Sequence, residues 1–169
     1  MHSYYKSTAL IALLLILSFS ASVSIAQTIK GRAVVQATPE NQVSLQIPNT
    51  KGDNLMLVHF KGLMFLDNDE VARIMGTETL HFSKESGSYQ GYEVLTFKDG
   101  STIMSKIKGT NQLSENGQYV DFNGSFEYTR GTGRFEGISG SGTHSGRNYI
   151  AWGVGGYYDI EGSYSLSSN

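Results

Sequence analysis

Two carboxylates in this 169-residue chain stand where a strand would bury them. Glu78 shares one face of the alternating run Val71–Phe82 with Ile74, Leu80 and Phe82. Glu93 shares one face of the next run with Tyr89, Leu95 and Phe97. A carboxyl held among apolar side chains is partly desolvated. Its pKa rises, and it becomes usable as a proton donor or acceptor near neutral pH. Glu78 is therefore the candidate acid/base residue. Glu93, Tyr128 and His59 are candidate ligand contacts. Tyr128 lies on the apolar face of a third strand, and His59 and Lys61 interrupt the most apolar stretch after the N-terminal segment. The structural alternative for the ionisable residues is a rim position reaching water, or burial satisfied by a tyrosine or backbone donor. Tyr92, Tyr119, Tyr128, Tyr157, Tyr158 and Tyr164 offer hydroxyls on apolar bodies, either as cavity lining or as strand filler.

Other chemistries lack their residues. There is no Gly-x-Ser-x-Gly elbow. Without cysteine there is no thiol nucleophile and no disulfide framework. His59, His81 and His144 have no ligand spacing, so a metal site would have to assemble across strands, and none is expected. The glycine pairs are spaced Gly-x-Gly-x-x-x-Gly and precede strand rather than helix, which argues against a dinucleotide or phosphate loop. Asp67-Asn-Asp-Glu lacks the spaced ligands and the glycine of an EF-hand and reads as a solvated acidic turn. No cofactor is expected.

The elements that must position these residues are strands. Ten of the twenty glycines lie between Gly131 and Gly162, only two prolines occur, and no segment after the N-terminal one has helical periodicity. Thr28–Thr38 reads as the first strand, broken by Pro39-Glu-Asn, and the Val43/Leu45/Ile47 alternation follows. Leu55–Leu66 is apolar on both faces, so both are expected to be covered: one by the lumen, the other by a neighbouring subunit or a loop. A homo-oligomer is one expectation from this strand. Tyr89–Lys98 and Ser101–Lys108 flank Asp99-Gly100, the signature of a type I′ hairpin turn. Ser86-Gly-Ser reads as an adaptable loop. Gly117–Gly146 holds the clearest strand, with Val120, Phe122, Gly124, Phe126 and Tyr128 on one face. Gly131 and Gly133 mark a tight or bulged reversal, with positive φ at Gly133. Tyr149–Val154 and Tyr157–Leu166 read as the last strands, split by Gly153-Val-Gly-Gly. Eight to ten short strands make an all-β barrel or sandwich.

The N-terminus reads as a secretory signal peptide over residues 1–26. Lys6 supplies the basic end, Ala9–Phe19 is mostly Leu, Ile and Ala, and Ser24 and Ala26 are small residues before a cut at Gln27. An uncleaved anchor helix is the alternative. Residues 27–169 then form one domain, secreted or periplasmic. The signal carries one of the thirteen basic residues and none of the fifteen acidic ones, which leaves a net charge of −3. No basic excess exists to neutralise phosphates, so nucleic acid is not an expected partner.

Gly131-Thr-Gly-Arg-Phe-Glu-Gly-Ile-Ser-Gly140 resembles the Gly-x-Gly-x-Phe-x-Gly-x-x-Gly segment of the allene oxide cyclase and dirigent-like β-barrel proteins. The resemblance covers roughly residues 117–146. It implies an antiparallel eight-stranded barrel, often oligomeric, with a cavity for an oxygenated hydrophobic molecule. In the plant cyclases an acidic residue early in the barrel steers ring closure; here Gln27–Pro39 contains no Asp or Glu, and no catalytic residue carries over. Arg134 and Glu136 match positions inside the motif, flank Phe135, and are expected to point away from it into cross-strand pairs.

The expected protein is thus an exported antiparallel eight-stranded barrel that binds a small hydrophobic or phenolic molecule. Cofactor-free isomerase or cyclase chemistry at Glu78 extends that expectation. The alternative is a non-catalytic structural or interaction barrel with a filled interior. An open lumen favours the first and a filled one the second.

Overall fold

Alternation of apolar and polar residues writes the sheet almost directly. A computed structural model describes residues 26–37, 42–151 and 154–167. Its strands are β1 (Gln27–Ala37), β2 (Val43–Gln46), β3 (Asp53–Leu66), β4 (Val71–Ser83), β5 (Ser86–Thr96), β6 (Thr102–Leu113), β7 (Tyr119–Thr132), β8 (Ile138–Tyr149) and β9 (Gly156–Leu166). Each of β3 to β9 pairs antiparallel with the next. β1 lies between β9 and β3 and closes the ring into an eight-stranded barrel. β2 continues the line of β1 along β3: Ala37 stands opposite Phe60, and Val43 opposite Leu57. Among the described residues there is no α-helix, only a single 3₁₀ turn at Gly133–Phe135. The expected signal peptide lies almost wholly outside the described residues, as do Thr38-Pro-Glu-Asn and Gly153; β1 opens at Gln27.

One face of every long strand points inward. Met64, Ile74 and Ile103 are fully buried, and Phe97, Phe135, Leu66 and Ile138 belong to the same core. Inward glycines make room for the rings. A Cβ on Gly142 would strike the Phe126 ring, and one on Gly162 would come within 2.7 Å of it. A Cβ on Gly76 would strike the Phe60 ring, and those on Gly109 and Gly124 would strike the Tyr89 phenol. The lumen is thus a fit between aromatic side chains and missing ones.

Several expectations change. Among the described residues the outer side chains of β3 are not covered: Leu63 is 47% and Phe65 46% exposed. Asp99-Gly100 is not a type I′ turn, which needs positive φ at both central residues. Only Gly100 has it, at 83°. Phe97 N–H donates to Ser101 O at 2.9 Å and Gly100 N–H to Phe97 O at 3.0 Å, closing a three-residue loop with Gly100 in the left-handed position. Ser101 N–H also donates to Asp99 Oδ1 at 3.0 Å, which holds the Asp in that loop. Ser86-Gly-Ser is not an adaptable loop but the start of β5, and a Cβ on Gly87 would strike His81 O. Of the expected strand Tyr149–Val154, the described residues Ile150, Ala151 and Val154 lie outside any strand. Tyr149 ends β8, whose alternation is hidden by its glycines, and β9 begins at Gly156. The reversal after β7 is as expected: Gly133 has φ 61°.

Candidate functional site

The barrel is filled at one end only. Toward the β3–β4, β5–β6 and β7–β8 turns, Phe97 and Phe135 meet at 4.7 Å between ring centroids, and Tyr164 packs edge-on to Phe135 at 6.1 Å. Toward the opposite end a cavity of about 490 Å³ runs up the axis. Its floor is Glu93 and Tyr158; Glu78, Tyr89 and His144 stand beside them, and Ala37, Gln42, Ile150 and Ala151 form the rim.

β4 and β5 bring the two carboxylates together. Glu78 faces Gly91 and Glu93 faces Gly76, so the glutamates are diagonal neighbours on the inner face. Tyr158 of β9 donates its hydroxyl to Glu93 Oε2 at 2.8 Å from across the barrel. Among the described residues no side chain donates to Glu78. Burial, together with the charge of Glu93, pushes Glu78 up to about 7. Burial likewise pushes Glu93 up to about 7, although the Tyr158 hydrogen bond pulls it back. Burial, reinforced by these two carboxylates, drives the Tyr89 and Tyr158 phenols upward.

His144 of β8 is hydrogen-bonded through Nε2 to the Tyr89 hydroxyl. Its ring stacks on Phe126 at 6.3 Å between centroids and meets the edge of Tyr158 at 6.1 Å. Burial lowers its pKa to about 4, so it is a neutral imidazole at neutral pH. Asn111 is 6% exposed, lines the cavity and leaves its Nδ2 without a hydrogen-bond partner. A buried amide donor without an acceptor is costly, which makes it a natural place for a ligand oxygen or nitrogen. Every lysine and arginine on the described strands sits at an outward or exposed position. The lumen therefore offers two carboxyls that titrate near neutrality, a neutral imidazole–phenol pair, a free amide donor and aromatic walls.

The sequence-derived site residues divide. Glu78 and Glu93 are lumen neighbours. Tyr128 is buried deeper, outside the cavity wall, with its hydroxyl unpartnered; burial raises its pKa, with Glu93 and not Glu78 as the carboxylate that adds to the shift. His59 does not line the lumen: it lies on the outer face of β3, where Nδ1 is hydrogen-bonded to Thr77 Oγ1 at 2.7 Å. Apolar neighbours on both faces of β3 concealed which way it points. Sequence reasoning missed Asn111 and the Tyr89–His144 pair. The available signal was a lone imidazole between Gly142 and Gly146 on the inward face of β8.

The motif residues also differ from expectation. Arg134 does not turn away from Phe135 but lies over its ring at 4.8 Å and over Phe97 at 4.7 Å. It donates to Glu70 Oε1 and Oε2 at 2.7 and 2.8 Å, and Asp99 is 3.7 Å away. The acidic turn thus binds this arginine, and Asn68 holds Glu70 through its own side chain. The guanidinium roofs the filled end of the barrel, far from the glutamates.

No family model matches the chain, and no curated protein matches it. Among solved structures it is similar to the pterocarpan synthase dirigent protein PsPTS1, at 14% identity and a TM-score of 0.47, over 86% of this chain and 96% of that one. It is similar to the pterocarpan synthase dirigent protein GePTS1 at 16% identity and a TM-score of 0.45, over 96% and 100% of the two chains. It is also similar to a protein of unknown function from the DUF3224 family of Shewanella oneidensis MR-1, at 15% identity and a TM-score of 0.47, over 86% and 100%. At such identities the likeness concerns the barrel and no site residue.

Proposed function

We propose that this is an exported barrel that captures a small hydrophobic or phenolic molecule in its lumen. The observation that carries the reading is the 490 Å³ cavity with Glu78 and Glu93 at its base. It lies within the range of roughly 300–1,000 Å³ usual for small-molecule sites, and its walls are mostly apolar with a few convergent polar groups. The rival reading, a barrel filled by its own side chains, describes the half below Glu93 and stops there.

Glu78 is the group through which chemistry would run. A carboxyl with a pKa near neutrality can give a proton to a bound molecule or take one from it, as cofactor-free isomerisation or cyclisation requires. Glu93 and Tyr158 orient the ligand from the floor. Export rests on the residue 1–26 segment, and the outer patch of Val34, Leu63, Phe65 and Val71 is read as a contact between copies of the chain.

The test is retention. Protein purified without denaturation from its native host should carry a small apolar molecule, identifiable by mass spectrometry after extraction. Glu78→Gln should remain folded and lose most of it. Identical extracts from equal amounts of folded wild-type and variant protein would contradict the role of Glu78.

A further inference from the structure

We propose that the molecule held in the lumen carries a basic nitrogen, lodged as an ammonium between Glu78 and Glu93, and an acceptor atom that meets Asn111. This rests on the reading of the lumen as a ligand site and narrows its class. Two features point to the ammonium and a third to the acceptor. Among the described residues, the groups of the lumen that titrate near neutrality are acidic, and no lysine or arginine faces them. The titratable groups facing Glu78 and Glu93 are Tyr89 on β5, Tyr128 on β7, His144 on β8 and Tyr158 on β9; none of these is cationic at neutral pH. An anionic ligand would be repelled by the ionised pair and would bind only with both carboxyls protonated, and a neutral one would leave them protonated.

The walls suit a cation as well. Phe60, Tyr89, Phe122 and Tyr158 line the space above the glutamates, and aromatic faces attract ammonium groups, more so away from water. Higher in the lumen the imbalance is the complementary one: Asn111 is 6% exposed and its Nδ2 lacks an acceptor. A molecule with an ammonium at one end and an acceptor further up would satisfy both levels at once. Binding would be linked to protons. Below the glutamate pKa the incoming ammonium must displace a proton from the pair, and affinity falls by up to tenfold for each pH unit.

The experiment compares three indoles of matched shape on the intact mature protein by calorimetry: tryptamine, indole-3-ethanol and indole-3-acetate. At pH 8 tryptamine should bind at least tenfold more tightly than the alcohol, and the acetate should not bind. Between pH 8 and pH 5.5 tryptamine should weaken at least tenfold while the alcohol stays within twofold. Tryptamine binding at pH 6 should release protons, read from the heats in two buffers of different ionisation enthalpy, so the wild-type protein alone supplies a second test. Glu78→Gln and Glu93→Gln should each reduce the preference for the amine and leave the alcohol bound. If the alcohol or the acetate equals tryptamine at pH 8, or no protons are released, the amine inference fails and the cavity reading stands. If none of the three binds, both fail.

Discussion

Glu78 and Glu93 stand diagonally across the β4–β5 ladder, each opposite a glycine, Gly91 and Gly76 respectively. Across this ladder neither carboxyl meets a side chain, while on the other flank Glu78 faces Val58 of β3 and Glu93 faces Ser105 of β6. The Phe60 ring occupies the space over Gly76, closing one side. The pair is thus held close in an apolar shell, and this arrangement raises both pKa values.

The first prediction is a stability that falls as pH rises. A glutamate at about 7 in the barrel and 4.5 as its ordinary value keeps its proton in the folded state after the unfolded chain has lost it. Each therefore lowers stability progressively between pH 4.5 and 7, by about 3 kcal/mol once the change is complete. His144, lowered from 6.5 to about 4, acts in the opposite sense, favouring the fold as pH rises from 4 to 6.5. Two glutamates outweigh one histidine. Wild-type melting temperature should drop from pH 5 to pH 7.5, and the Glu78→Gln/Glu93→Gln double variant should rise over the same interval. Parallel profiles would show that the glutamates are not buried as described.

The second concerns the reversal after β7. Gly133 and Gly52 both have positive φ, at 61° and 88°. A Cβ on Gly52 meets nothing within 4 Å, whereas one on Gly133 would strike Ser101 Oγ. That oxygen accepts the Arg134 N–H at 3.2 Å. Gly52→Ala should cost about 1 kcal/mol from φ alone. Gly133→Ala should cost roughly 1–3 kcal/mol more through the clash and the disturbed hydrogen bond. Chemical denaturation giving equal losses would remove the special role of Gly133.

How much of this was legible in the sequence depends on the residue. Glu78 and Glu93 were placed by period-2 alternation, because Ile74, Leu80 and Phe82 on β4 and Tyr89, Leu95 and Phe97 after it keep that period on the face the glutamates share. His59 was not, because Leu55, Leu57 and Leu63 on the outer face of β3 imitate a core face. The return strand after the Gly131/Gly133 reversal was expected at Ile138, where β8 begins, but its end was not, since Gly140, Gly142 and Gly146 carry no side chain to alternate and Tyr149 was assigned to a further strand. Tyr89–His144 joins residues 55 apart in sequence, and only the closed sheet brings them together. At Asp99-Gly100 the dipeptide was read correctly as a turn, but its type depends on whether Asp99 takes positive φ, which composition does not decide.

The third prediction tests Arg134. It spans the Phe97 and Phe135 rings and the Glu70 carboxylate at the filled end. Arg134→Lys loses the two-pronged contact and the flat stacking, and Arg134→Ala loses both entirely. The pair is largely exposed, so the cost to stability should be about 1 kcal/mol for Ala and less for Lys. Binding in the lumen should be unchanged in both, because the guanidinium lies at the other end. Altered binding at constant fold would mean that the two ends are coupled.

The fourth concerns processing. N-terminal sequencing or intact mass of the protein recovered from its own host should give a chain beginning at Gln27, the first residue of β1. A full-length chain in the membrane fraction would contradict cleavage.

The most direct measurement of the central claim is a fluorescence titration with an apolar probe, N-phenyl-1-naphthylamine, on two tryptophan variants of equal folded content. Leu80 lines the cavity, while Gln90 lies on the outer wall of the neighbouring strand. Wild-type protein and Gln90→Trp should bind one probe per chain with affinities within about twofold of each other, and Leu80→Trp, which fills the lumen, should lose at least tenfold. Unchanged binding in Leu80→Trp would place the molecule outside the barrel and contradict the account.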